Sequence, residues 1–189
     1  MKKFLNPYFF SFVIISFCLY LYSSTSNQKI NVNEVSQKRF TLLNSSETGI
    51  NFNNNIKDTK EQNILLYANF YGGAGVGIGD FNNDGLQDIY FAGNLVADKL
   101  YINQGDLKFV DSTINSGIIN DGGWSTGVTV ADVNNDGFVD IYVSRELYDN
   151  NPEWRTNLLY INNTDGTFTE SAKKYGVDDS QRTRHATFL

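Results

Sequence analysis

From Gly75 onward the apolar residues fall in short runs, each closed by polar turn residues, rather than in a stripe at helical spacing. "GVTVAD", "DIYV", "LYIN" and "GTFTE" are rich in β-branched and aromatic residues, and turn sequences such as Asn103-Gln104-Gly105-Asp106 and Asn163-Thr164-Asp165-Gly166 interrupt them. That alternation predicts short strands joined by tight turns. Residues 57–70, "KDTKEQNILLYANF", are the one stretch where the pattern admits a short helix.

The pattern also repeats. "GVGIGDFNNDGLQDIYF" (Gly75 to Phe91) aligns with "GVTVADVNNDGFVDIYV" (Gly127 to Val143) at a displacement of 52 residues. Downstream, "LYINQGDLKFVDSTINSGI" (Leu100 to Ile118) aligns with "LYINNTDGTFTESAKKYGV" (Leu159 to Val177) at a displacement of 59, so the second unit carries seven extra residues, placed in the polar stretch around Tyr148 to Thr156. "HATFL" (His185 to Leu189) aligns with "GVGIG" and "GVTVA", which would put the first aspartate of a third acidic loop at the position after Leu189. The chain is therefore expected to be the N-terminal part of a longer protein. Four short strands per unit of 50 to 60 residues is the pattern of an all-β repeat such as a propeller blade. "FTLLNSSETGINF" (Phe40 to Phe52) further resembles the unit ending "FVDSTINSGI" (Phe109 to Ile118), with Gly49-Ile50 matching Gly117-Ile118, and is expected to supply the closing strand of the last blade. Two and a half blades would leave open strand edges that invite association.

Between the first two strands of each unit lies an acidic loop. Counting from Asp80, oxygen-bearing side chains occupy positions 1, 3, 5 and 9 (Asp80, Asn82, Asp84, Asp88), Gly85 is at position 6, and Leu86 at position 7 offers a carbonyl. The second loop repeats the set with Asp132, Asn134, Asp136, Gly137, Phe138 and Asp140. A hard cation takes six to eight oxygens at about 2.3 to 2.6 Å, alternate residues of a tight loop turn their oxygens to one point, and glycine at position 6 permits the turn. Three carboxylates gathered without a cation would repel one another, so calcium is the expected occupant; magnesium tolerates such an irregular cage less well. Asn-Asp-Gly is also ordinary turn chemistry, yet two copies sharing all four positions argue for the metal. An EF-hand requires Glu at position 12, where Phe91 and Val143 stand instead. A dockerin-type repeat wants a following helix, and thrombospondin-type repeats want cysteines.

Composition narrows the setting. The formal net charge is −6 and no Lys/Arg cluster occurs, which excludes a polyanion such as nucleic acid as the natural partner. Lys2 and Lys3 followed by the apolar "YFFSFVIISFCLYLY" (Tyr8 to Tyr22) and then "SSTSNQ" predict a signal peptide over 1–26, cut near Ser26, with a linker over 27–39 and the repeat region over 40–189. The apolar run is shorter than the roughly 20 residues of a membrane-spanning helix. An uncleaved anchor and a lipoprotein modified at Cys18 are the alternatives, the latter disfavoured by bulky Phe17. Cys18 is the only cysteine, so the mature chain can hold neither a disulfide nor a cysteine metal site.

The loops after "GVGIG" and "GVTVA", followed by "DIYF" or "DIYV" and then "LYIN", resemble FG-GAP or VCBS repeats, the blades of integrin-type β-propellers. More closely, "YGGAGVGIGDFNNDGLQDIYFAGNLVADKLYIN" and "NLLYINNTDGTFTE" are similar to exported bacterial repeat proteins of the cartilage-acidic-protein-like and ASPIC/UnbV group. The resemblance covers roughly Phe40 to Leu189. It implies an all-β fold of four-stranded antiparallel blades, an incomplete N-terminal part of a larger, seven-bladed propeller. It also implies calcium at Asp80, Asn82, Asp84, Leu86 and Asp88, and at Asp132, Asn134, Asp136, Phe138 and Asp140.

The function expected is a non-catalytic, calcium-binding module for binding or adhesion at the cell surface, its partner an extracellular protein or glycan. It would be secreted, periplasmic or outer-membrane-associated, touching a membrane only through an uncleaved signal segment. The alternative is the scaffold of a polysaccharide-active enzyme or sugar-binding component whose active residues lie further along the chain. The remaining candidates are read as structural. His185, the only histidine, opens an expected strand beside Arg184; Asp121, Glu146, Asp149 and Glu153 are charged loop residues outside any pattern; Trp124 and Trp154 could stack on a sugar, but core or rim packing is the favoured reading. "GGAGVGIG" (Gly72 to Gly79) contains a nucleotide-loop-like string, but an acidic loop follows where a helix is needed.

Overall fold

A computed structural model describes residues 40–119, 122–146 and 154–188. The expected signal peptide and linker, Cys18, Asp121, Asp149, Glu153 and most of the seven-residue insertion lie outside the described residues. The chain divides into two compact units, Met1–Leu42 and Leu43–Leu189, and all the described strands belong to the second. No helix among the described residues is long and apolar enough to cross a membrane.

The fold is all-β. The first sheet has the order β1-β2-β3-β4, formed by Val76–Gly79, Asp88–Phe91, Lys99–Asn103 and Phe109–Asp111. The second repeats it with β5 (Ser125–Ala131), β6 (Asp140–Arg145), β7 (Leu158–Asn162) and β8 (Phe168–Glu170). All neighbours are antiparallel, and equivalent residues pair alike: Ile89 lies opposite Tyr101 as Ile141 lies opposite Tyr160. The two acidic loops are the β1–β2 and β5–β6 connections.

"DIYV" is a continuous apolar run because β6 is covered on both faces, and all six of its residues are buried. Ile141 and Val143 pack towards the first sheet in one core with Phe81, Tyr90 and Leu100, whereas Tyr142 packs on the far side with Leu159, Ala172 and Ala186. The first sheet is used the same way. Tyr90 faces the second sheet, and Phe91 turns outward to stack on Phe52 with ring centroids 5.0 Å apart. Burying one such aromatic contributes about 1.5–3 kcal/mol.

The approach of the sheets is set by small residues. A Cβ on Gly77 would lie 2.6 Å from Val128 Cγ1, and one on Gly79 would lie 2.9 Å from Val130 Cγ1. The alternate glycines of β1 thus admit the alternate valines of β5. One step along, Gly127 rests on the backbone of Arg184 and His185, and Thr129 Oγ1 donates to the Ala186 carbonyl at 2.6 Å. Residues 183–188 therefore lie on the second sheet as that sheet lies on the first.

The unit endings repeat too. Each closes on a left-handed glycine: Gly49 after helix α1 (Ser45–Thr48), Gly117 after a turn, and Gly176 after helix α2 (Ala172–Tyr175), with φ between 69° and 78°. Gly49 sits against the Phe109 carbonyl, and Gly117 sits against the Phe168 carbonyl, which a Cβ there would meet at 3.0 Å. The Tyr101 hydroxyl donates to Asn51 Oδ1 at 2.7 Å, and Tyr160 Oη accepts from the Ile119 N–H at 3.1 Å. The likeness between residues 40–52 and 109–118 is thus a likeness of docking from Gly49 onward.

Two local expectations differ from the structure. Residues 57–70 form turns and bends, tied by Asn63, whose side chain bonds the carbonyls of Thr59 and Lys60 and the N–H groups of Leu65 and Leu66. An asparagine that satisfies the backbone this way competes with the helix. Residues 185–188 form no ladder; in the first two units the equivalent strand, β1 or β5, is held by pairing with the strand after its acidic loop.

Candidate metal-binding loops

Each acidic loop is wound by left-handed residues at positions 4 and 6: Asn83 (φ 55°) and Gly85 (φ 87°) in the first, Asn135 (φ 59°) and Gly137 (φ 89°) in the second. Asparagine and glycine are the residues that accept this conformation with least strain. The winding directs backbone N–H groups inward, where the side chains of positions 1, 3 and 5 meet them. Asp80 accepts from the N–H of Asp84 at 3.0 Å and of Gly85 at 2.8 Å, and Asp84 accepts from the N–H of Leu86 at 2.8 Å. In the second loop Asp132 accepts from Asp136 at 3.1 Å and Gly137 at 2.8 Å, and Asp136 accepts from Phe138 at 2.8 Å. Asn82 and Asn134 each take the position-5 N–H on Oδ1 and donate Nδ2 to the position-5 carboxylate.

The position-9 aspartates differ from the rest, being fully buried. Asp88 Oδ2 accepts from the Phe81 N–H at 2.9 Å and Oδ1 from the Asn103 N–H at 2.8 Å; Asp140 does the same with Val133 and Asn162 at the same distances. Each closes its loop and ties it to the third strand of its sheet. Burial pushes both carboxyls above their ordinary range; the two N–H donors oppose this, and the neighbouring loop aspartates reinforce it. Burial thus makes ionising these acids costly, and a cation beside them would offset that cost.

Among the described residues, no three His, Cys, Asp or Glu side chains gather at metal-binding spacing. Positions 1, 3 and 5 are turned to their own loop amides. The donor set still suits a hard cation. It is made of oxygens alone, and a carboxylate oxygen that accepts one N–H retains a second lone pair.

Two buried asparagines at the ends of the "LYIN" strands escaped the sequence reading. Asn103 donates Nδ2 to the Gln87 carbonyl at 3.0 Å, within its own unit. Asn162 donates to the Phe81 carbonyl at 2.7 Å and the Val139 carbonyl at 3.3 Å, so the second unit holds position 2 of the first unit's loop. The loops also touch directly, through Asn83 Nδ2 and the Gly137 carbonyl at 3.1 Å. The repeat of "LYIN" was the available signal.

Buried Asp98 accepts from the Tyr90 hydroxyl, the Gly93 N–H and the Ser125 hydroxyl at 2.7–2.9 Å, the last a bond across to the second sheet. At the equivalent place Asn157 accepts the Arg145 N–H and donates to the Tyr142 and Thr183 hydroxyls. Asp98 and Asn157 are thus one latch in two chemistries. Burial pushes the Asp98 carboxyl up, against its three donors and nearby Arg145. Glu146 is a correction to the sequence reading: it is no solvated loop acid but buried, 3.1 Å from Arg184 Nε. Trp124 is buried with Tyr67 and Phe70, and Trp154 packs on that cluster.

No curated protein matches the chain. A family model for the FG-GAP-like repeat matches residues 80–143, from the first aspartate of the first acidic loop to the end of "DIYV" in the second unit.

Proposed function

We propose that this chain is an exported, calcium-binding β-propeller-type module, non-catalytic, that serves binding or adhesion at the cell surface, of the cartilage-acidic-protein-like and ASPIC/UnbV kind. The carrying observation is the duplicated loop: two copies with the same internal bonds and the same buried aspartate at position 9. Calcium would be held by Asp80, Asn82, Asp84, Leu86 and Asp88, and by Asp132, Asn134, Asp136, Phe138 and Asp140. It would neutralise the loop carboxylates and so stabilise a chain whose only cysteine lies in the expected signal peptide. The stepwise contacts from the Gly49 segment through both sheets to residues 183–188 support blades in a ring, and the FG-GAP-like match suggests the same.

The test is a melting curve with calcium titrated into the purified chain. At tenfold excess over the dissociation constant each site adds about 1.4 kcal/mol, so the midpoint should rise and saturate. The rise should vanish in the double variant Asp84→Ala, Asp136→Ala. A midpoint indifferent to calcium, or equally raised in the double variant, refutes the reading.

A further inference from the structure

In a repeat protein, residues shared between units build the unit, and departures at equivalent positions mark what one unit does alone. Four departures line a single cleft of about 400 Å3. Trp124 stands where the first unit has Gly72; Glu146 where it has Asn94; Arg184 where the first two units have Ala74 and Thr126; and His185, the only histidine, where they have Gly75 and Gly127. The side-chain-poor run from Gly72 to Gly75 also lines the cleft. The volume lies in the range of small-molecule sites.

The chemistry at the rim is specific. Glu146, with its side chain 3% exposed, takes Arg184 Nε at 3.1 Å and Nη2 at 3.3 Å, and the Arg184 side chain is 60% exposed. A guanidinium has five N–H donors in a planar fork; Nε and Nη2 meet the buried carboxylate, and the side chain stays largely exposed in the lining of the cleft, which His185 shares. A guanidinium already paired with a buried carboxylate matches a second carboxylate geometrically and has less rotamer freedom left to lose on binding it. Arg184 and Glu146 cancel in charge, so the selection is for the planar two-oxygen shape rather than for anions at large.

We propose that this cleft binds a small organic carboxylate, of the size of one uronic acid residue or one amino acid, with Arg184 as its binding residue and Glu146 as the residue that positions Arg184. This goes beyond the metal reading and deepens the binding-module reading by naming a ligand class. The test is calorimetric or NMR titration of the calcium-saturated chain with D-glucuronate, L-glutamate, acetate and D-glucose. Glucuronate or glutamate should bind with a dissociation constant on the order of 1 mM, and whichever is tighter identifies the source of the carboxylate. Arg184→Gln should weaken it about tenfold to a hundredfold. Arg184→Lys, which keeps the charge but loses the fork, should rescue only part. Binding of neither acid, equal binding of glucose, or full rescue by lysine overturns the proposal. The calcium-induced melting shift, read in the same samples, should be unchanged in both variants; its loss in the parent chain would count against the metal reading alone.

Discussion

Asn162 links the two units at the base of the first loop, and removing its side chain should cost more than its place at the end of a strand suggests. In Asn162→Ala the Phe81 carbonyl, on a residue 1% exposed, loses its 2.7 Å bond, and the Val139 carbonyl loses its 3.3 Å bond. A buried acceptor left unpaired costs about 1–3 kcal/mol. The Thr164 N–H, which Asn162 Oδ1 accepts at 2.9 Å, is on an exposed residue and can turn to water at little cost. The loss should total about 2–4 kcal/mol, weighting the shorter bond most. Asn103→Ala is the matched control, since its Nδ2 makes one part-buried bond, inside its own unit; about 1–2 kcal/mol is expected there. Urea unfolding of the full chain separates the two. With a slope of about 2 kcal/mol per molar, Asn162→Ala should lower the midpoint by roughly 1–2 M and Asn103→Ala by about half that. Equal midpoints would refute the idea that Asn162 joins the units. If the cross-unit bond also holds the loop, Asn162→Ala should weaken calcium at the first site while Asp140 keeps the second intact.

The latch predicts that Asp98→Asn, which installs the chemistry of Asn157, costs within about 1 kcal/mol, whereas Asp98→Ala strands two hydroxyls and an N–H and costs about 2–4 kcal/mol; equal urea midpoints for the two variants would refute the equivalence. Gly49→Ala places a side chain at φ 78° against the Phe109 carbonyl, so a loss of about 2 kcal/mol or more is expected, with faster proteolysis near residue 49 as the readout. The pH profile follows from Asp88 and Asp140. Both carboxyls sit above their ordinary range in the folded chain, so between the unfolded and folded values the fold binds more protons than the unfolded chain. In chelator, their contribution therefore favours folding as pH falls from neutrality into the carboxylate range. Asp111, held low by hydrogen bonds from Lys99 and Thr113 despite partial burial, opposes this. A rising melting temperature on mild acidification in chelator, turning to a fall when calcium is present, is the expected pattern; a fall in both conditions would count against strained position-9 acids.

The acidic loops and their flanking strands were legible because their determinants are local. A left-handed glycine at position 6, oxygen at alternate positions and a β-branched run on either side act within about ten residues, so spacing alone exposes them. The same holds for the unit endings, where Gly49, Gly117 and Gly176 mark the same turn. The short helix looked for at 57–70 failed for an equally local reason, the Asn63 side chain, which apolar spacing does not register.

What the sequence determined by itself is the repeating unit: its strands, its turns and the oxygen set of its loops. How one unit meets the next depends on packing between distant segments. Asp98 reaches Ser125, Asn162 reaches Phe81, and Glu146 reaches Arg184 across 27, 81 and 38 residues. Such pairs obey no sequence period, because the partner's position depends on sheets packing at the distance that Gly77 and Gly79 allow. Burial then turns an unremarkable Glu-Arg pair into a fixed guanidinium, and two interchangeable letters, Asp98 and Asn157, into the same latch.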